Sequence, residues 1–185
     1  FSPCLISAAK KTAEYFAGMT GNVLENLIPK IILKKIDEIK TNDILPKNPP
    51  TSMKSEKLAI QTDYEERLCH YKKLVREEFA KHNSVFICVP TVEDVKKISE
   101  ELKKGIEKFV VALHTGKTAK KIVEDWNNIS SEIHPLLIVG TGLFLGIYRK
   151  NLNTIIVERE NSNVYKTFSH PFFDIRSLAN VQNFF

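Results

Sequence analysis

At 185 residues, 43% hydrophobic and 26% charged, the chain has the composition of one globular domain with an appendage, which excludes a disordered or fibrous class. The 27 basic and 22 acidic residues leave a net charge of +5, which permits contact with nucleic acid without requiring it. Cys4, Cys69 and Cys88 lie far apart with no CxxC pair, and no apolar run nears the ~18 residues of a membrane span, so neither zinc nor a membrane partner is expected and the expected setting is the cytoplasm.

The chain opens at Phe1, already inside an apparent helix, as a fragment or a processed chain would. Residues 3–16 carry apolar side chains at helical spacing (Leu5, Ala8, Ala9, Ala13, Phe16). Gly18 and Gly21 break the pattern, and residues 23–39 resume it with Pro29 as a kink or boundary. Residues 41–57, with Pro46, Pro49 and Pro50 among Asn, Ser and Lys, have the composition of a linker. The rhythm then changes. A short apolar run, 58–60, leads to a helix over 64–81 and a continuous apolar strand over 84–89. Pro90-Thr91 turns the chain into an amphipathic helix, 92–104, followed by a strand over 109–113, a loop at His114-Thr115-Gly116 and a helix over 118–129. Two further strands are expected over 136–139 and 154–157. Continuous rather than alternating apolar strands, separated by helices, predict an α/β fold with a doubly wound, mostly parallel sheet covered on both faces.

In such sheets the chemistry sits at the carboxyl ends of the strands. Here those ends are Pro90-Thr91, His114-Thr115-Gly116, Gly140-Thr141-Gly142 and Glu158-Arg159-Glu160-Asn161. His114 has no acidic or Cys partner at a known spacing, so a tight turn is the plainer reading than an acid/base role. Gly116-Lys117-Thr118 carries the letters of a phosphate loop, but Val111 stands where the first glycine belongs. Trp126, the one tryptophan, reads as a core residue, with base stacking as the alternative. The paired lysines along the helices read as solvated faces; a phosphate-tracking stripe would need them to converge.

The order of these segments resembles the first motor lobe of the primosomal protein N′ (PriA) family of replication-restart helicases, in superfamily 2. The landmarks are Cys88-Val89-Pro90, Leu113-His114-Thr115-Gly116, Asp125-Trp126, Gly140-Thr141-Gly142-Leu143-Phe144, Asn153 through Asn161, Val164-Tyr165-Lys166, and Phe173-Asp174-Ile175-Arg176-Ser177-Leu178-Ala179. They cover roughly residues 58–181. The stretch Thr12 to Leu24, leading to Leu27-Ile28-Pro29, is similar to the helix that closes the family's 3′-end-binding region. The resemblance implies a RecA-like lobe of the P-loop NTPase type over 58–185, a helical appendage over 1–40 and a linker, 41–57, too short for the family's winged helix.

The departures matter as much. Counting back without gaps from Val89-Pro90, the family's phosphate loop falls on Tyr64-Glu65-Glu66-Arg67-Leu68. Its glycines are gone, Leu68 cannot hold magnesium, and each glutamate would repel a phosphate by about 4 kcal/mol at ~4 Å and a dielectric near 20. The catalytic acidic motif is also changed: the family's Asp falls on Glu158, its catalytic Glu on Arg159 and its His on Asn161. Arg159 cannot activate water. No catalytic residue is therefore assigned, and nucleotide binding is not expected; Arg67, Lys117 and Thr118 would be its candidates. The resemblance implies a degenerate DNA-binding or scaffold module in replication restart without ATPase activity and without a cofactor. Its implied partners are single-stranded or forked DNA and replication-restart proteins. Candidate DNA contacts are Lys117, Thr141, Arg149, Lys150, Tyr165, Lys166 and Arg176. Two alternatives stand beside it: a fragment of an active ATP-dependent 3′–5′ DNA helicase, which would need ATP and magnesium, and a module for protein interaction only.

Overall fold

Residues 3–40, 56–167 and 172–176 are described by the computed structural model of the chain. The expected linker lies outside them except for Glu56 and Lys57, as do Ser177, Leu178 and Ala179 of the last landmark. The front of the chain forms three helices, α1 (Pro3–Tyr15), α2 (Thr20–Glu25) and α3 (Lys30–Lys34), with a 3-10 turn at Ile36–Glu38. The stretch expected as one helix over 23–39 divides at Pro29. Its ring fixes φ and removes a donor, so it serves as the N-cap of α3 in extended backbone rather than continuing α2.

Leu58 and Ile60 stay exposed in a segment that joins no strand. Helix α4 (Tyr64–Ala80) starts where the Asp63 carboxylate accepts from the Glu66 amide at 2.9 Å. Strand β1 (Ser84–Val89) is buried at all six positions, as its unbroken apolar run requires. A capping box of Thr91 and Asp94 opens α5 (Val92–Leu102). Strand β2 (Val110–Leu113), helix α6 (Ala119–Ser131), strand β3 (Leu137–Thr141) and strand β4 (Leu152–Val157) complete the order.

The four strands form one all-parallel sheet in the order β2-β3-β1-β4. Ile87 at the centre lies opposite Val139 on one side and Ile156 on the other. Successive side chains of β1 point to opposite faces. Val85, Ile87 and Val89 pack with Leu68, Tyr71 and Val75 of α4 and Val95, Ile98 and Leu102 of α5. Phe86 and Cys88 pack with Trp126 and Ile129 of α6, with Leu5, Ala9, Val23 and Ile32 of the three front helices, and with Leu27 and Ile28 of the α2–α3 junction. The fold is therefore α/β with helices on both faces of a parallel sheet. Trp126 is a core residue, buried in that second layer.

The helical front shares this core rather than standing apart. At Gly146 the backbone amide donates to the Leu27 carbonyl at 3.0 Å. A Cβ there would fall 2.7 Å from Ile28 Cγ1 and 2.8 Å from that carbonyl, so only glycine allows the approach. Among the described residues no helix is long and apolar enough to cross a membrane.

Candidate functional site

The carboxyl ends of β1 and β4 and the start of α4 meet at one place. The Glu158 amide donates to the Cys88 carbonyl at 2.9 Å, carrying the ladder one residue past β4. This turns the Glu158 side chain inward, where it is 3% exposed. Its Oε1 accepts from Arg67 Nη2 at 3.0 Å and its Oε2 accepts from the Tyr71 hydroxyl at 2.5 Å. Arg67 and Tyr71 lie four residues apart on α4, and therefore on one face of it. Arg67 also donates through Nη1 to the Thr62 carbonyl at 2.7 Å. The hydrogen bond to Glu158 pushes the Arg67 pKa up, and burial followed by the Glu158 carboxylate pushes the Tyr71 phenol well above its usual value. Both donors hold their protons at neutral pH.

A second ion pair lies alongside. Arg159 adopts a left-handed backbone, φ 49°, which is uncommon for a side chain of this size, and its guanidinium pairs with Asp94. Asp94 is already the acidic half of the capping box, with its Oδ2 2.6 Å from Thr91 Oγ1. Lys97 sits over the Tyr64 ring, 4.1 Å from its centroid, and the Arg67 guanidinium lies 5.8 Å from the same centroid. Glu158 and Asp94 thus each have their own cation.

A phosphate site would need open amides at a helix N-terminus. Here Asp63 caps α4, while Glu65 and Glu66 occupy its first turn. These carboxylates complement the helix dipole and leave it no attraction for an anion. Leu68 is buried between α4 and the sheet, and Asn161 is exposed beyond the ion pairs. The displaced candidate, Gly116-Lys117-Thr118, is also occupied. Lys117 Nζ donates to Asp125 Oδ2 at 2.6 Å and to the Ala112 carbonyl at 2.5 Å, while Thr118 caps α6 through the Lys121 amide. His114 is buried with its Nδ1 unpartnered, close against Gly116. Burial, then Lys117 and Lys96, lower its pKa and keep the ring neutral.

The residues expected to contact DNA divide: Lys117, Thr141, Lys166 and Arg176 lie at the carboxyl end of the sheet, Lys150 at its amino end, and Arg149 and Tyr165 are internal. Arg149 is 4% exposed and points inward: Nε donates to Ser84 Oγ at 2.7 Å, Nη1 to the Ile129 carbonyl and Nη2 to the His134 carbonyl, both at 2.5 Å. Tyr165 is 1% exposed, its hydroxyl 2.7 Å from the Glu158 carbonyl and 3.1 Å from that of Cys88. These two are corrected from surface contacts to internal ties. The cause is that folding brings inward the Ser84 hydroxyl at the start of β1 and the carbonyls at and after the last turn of α6, which Arg149 meets, and the carbonyls at the ends of β1 and β4, which Tyr165 meets. Arg176 pairs with Asp174 and donates to the Glu160 carbonyl, over the Tyr165 ring. Thr141 is half-buried at the end of β3. Lys150 and Lys166 are exposed, but one precedes β4 and the other follows it. The six residues of that strand span about 20 Å, which sets the two lysines at opposite ends of the sheet.

Reading the letters alone passes over Tyr71 and Asp94 as site residues. The signals were local: Tyr71 is one helical turn from Arg67, and Thr91-x-x-Asp94 has the spacing of a capping box. A scan against protein-family models finds no match, and a search of curated proteins finds none either.

Proposed function

We propose that this chain is a non-hydrolysing lobe of the primosomal-helicase type, acting in the cytoplasm as a scaffold or DNA-contacting module in replication restart. One observation carries this reading: both oxygens of Glu158 are taken by Arg67 and Tyr71 at the point where a nucleotide enzyme needs an open acid and an open phosphate cradle. The lobe then works through its surface, with replication-restart proteins and single-stranded or forked DNA as partners, and needs neither ATP nor magnesium.

Titration with a fluorescent ATP analogue and magnesium, with and without forked DNA, tests it. The expected result is no binding and no DNA-stimulated hydrolysis. Magnesium-dependent binding that maps to Tyr64 through Leu68 would overturn the reading in favour of a live helicase fragment. A signal abolished by Lys117→Ala would instead identify the displaced site.

DNA contact is measured separately, by affinity for forked DNA against salt, because phosphate contacts release counterions. The net charge of +5 and the exposed Lys150 and Lys166 favour a shallow but real salt slope. If affinity and slope are untouched by Lys166→Ala and Arg176→Ala, the module acts through proteins alone.

A further inference from the structure

We propose that the cavity between α4 and the turn after α5 binds a small organic anion with a compact apolar body, of the class of an aryl phosphate monoester. The cavity holds about 410 Å³ and is lined by Lys72, Val75, Arg76, Leu102, Lys104, Gly105 and Ile106. Val75 and Leu102 belong to the buried layer beneath the two helices, and Ile106 packs against it, so the floor is apolar. The rim is cationic. Lys72 and Arg76 stand one helical turn apart on one face of α4, and Lys104 comes from the turn opposite.

Among the described residues, no carboxylate forms an ion pair with these three cations. Among the described residues, the ion pairs nearby are Lys73–Glu77 and Lys103–Glu100, which use the neighbouring lysines. The acidic residues three positions either side of Lys104 do not reach it: Glu101 enters no ion pair, and Glu107 accepts from the Gly105 amide at 2.9 Å. Three like charges around an apolar floor repel one another more than they would in open water. Gly105, at φ +86°, turns the chain so that even a Cβ would meet nothing within 4 Å, which keeps the mouth open.

The ligand class follows from this pairing of surfaces. A bare phosphate leaves the floor unfilled, and a hydrocarbon leaves the cations unanswered. The volume is at the small end for organic ligands, which suits one or two fused rings. An arginine fork on the rim matches two phosphate oxygens at once. The site lies away from the Arg67–Glu158 pair, toward the amino end of the sheet, and is independent of the reading proposed above.

The test titrates the full chain with naphthyl phosphate, naphthol and inorganic phosphate, by calorimetry and by amide chemical shifts. Naphthyl phosphate is expected to bind with an affinity that falls with salt and to shift the amides of Val75, Leu102, Gly105 and Ile106. Either half alone binds weaker by about tenfold or more, and Arg76→Ala and Lys104→Ala each cost about tenfold, the loss expected for one charge-assisted hydrogen bond. Both side chains are exposed, so the fold is kept, and the exposed Lys120, on α6, serves through Lys120→Ala as the control that changes nothing. The proposal fails if naphthol binds as well as naphthyl phosphate, if both rim variants bind unchanged, or if the shifts map elsewhere. It also fails if a short single-stranded oligonucleotide takes the same residues more tightly.

Discussion

Arg67 and Glu158, 91 positions apart in the chain, meet at 3.0 Å where α4 begins and β4 ends. The carboxylate is almost wholly buried, and Arg67 keeps about a fifth of its side chain in contact with solvent. A buried carboxylate is costly unless it is both paired and hydrogen-bonded, and Tyr71 supplies the second bond. The arrangement commits the acid to holding α4 against β4.

Removing Arg67 should therefore cost stability rather than activity. Arg67→Ala strands the Glu158 charge and is expected to lower unfolding free energy by about 3 kcal/mol, the low end for breaking a buried pair. Tyr71→Phe removes one charge-assisted bond and should cost about 2 kcal/mol. Urea denaturation followed by circular dichroism reads both. A loss below 1 kcal/mol for Arg67→Ala, by the same standard for exposed pairs, would mean that solvent already screens the pair.

The strands were legible because a parallel sheet covered on both faces needs apolar side chains at every position, and β1 is written that way from Val85 to Val89. Pro29 was legible as a boundary for the equally local reason that it lacks an amide proton. The partners of the polar residues were not. Arg149, Tyr165 and Lys117 read as surface groups, yet each is drawn to acceptors that the chain brings together only on folding: Ser84 and His134, Cys88 and Glu158, Ala112 and Asp125. Charge in a sequence says what a residue can bind, whereas burial depends on neighbours dozens of residues away. Leu58–Ile60 makes the converse point: a short apolar run with no strand beside it stays in solvent.

Arg149 leads to the second prediction. Burial lowers the pKa of its guanidinium, and among the described residues it pairs with no carboxylate, only with Ser84 Oγ and two carbonyls. Arg149→Met fills much of the volume but orphans those acceptors, and should cost about 3 kcal/mol. Arg149→Lys keeps the charge and loses the fork, so it should recover only part of that. The affinity of the chain for forked DNA and its salt slope should be unchanged in Arg149→Lys under conditions where it is folded. A reduced slope would put this cation back on the surface.

Glu78 ties the end of α4 to the start of β4 and sets a pH dependence. Burial alone would raise its carboxyl pKa, but hydrogen bonds from Lys81 at 2.8 Å, Asn83 at 3.0 Å and Asn153 at 3.2 Å outweigh it and hold the group below its ordinary value of 4.5. A carboxyl depressed in the folded state binds its proton more weakly than in the unfolded chain. Its stabilising contribution is therefore complete above 4.5 and is lost as the pH falls through the lower, folded value. Urea midpoints taken from about pH 6 down to about pH 3 should fall more steeply for the native chain than for Glu78→Gln. Parallel curves for the two would show that Glu78 does not contribute to the acid limb.

Gly146 tests whether the front helices and the sheet are one cooperative unit. Its amide bonds the Leu27 carbonyl, and a methyl group there would lie 2.7 Å from Ile28 Cγ1, inside van der Waals contact. Gly146→Ala should force the α2–α3 junction away from the loop and cost about 1–3 kcal/mol, as overpacking does. Because Leu27, Ile28 and Ile32 lie in the same apolar layer as Phe86 and Trp126, the loss should appear at both ends of that layer. Native-state hydrogen exchange distinguishes the outcomes. Amides of α1 and α2 and those of β1 are expected to lose protection together in Gly146→Ala. Loosened front helices beside an unchanged β1 would mean that the helices dock as a separate unit, and the shared core would then be an interface rather than the foundation of the fold.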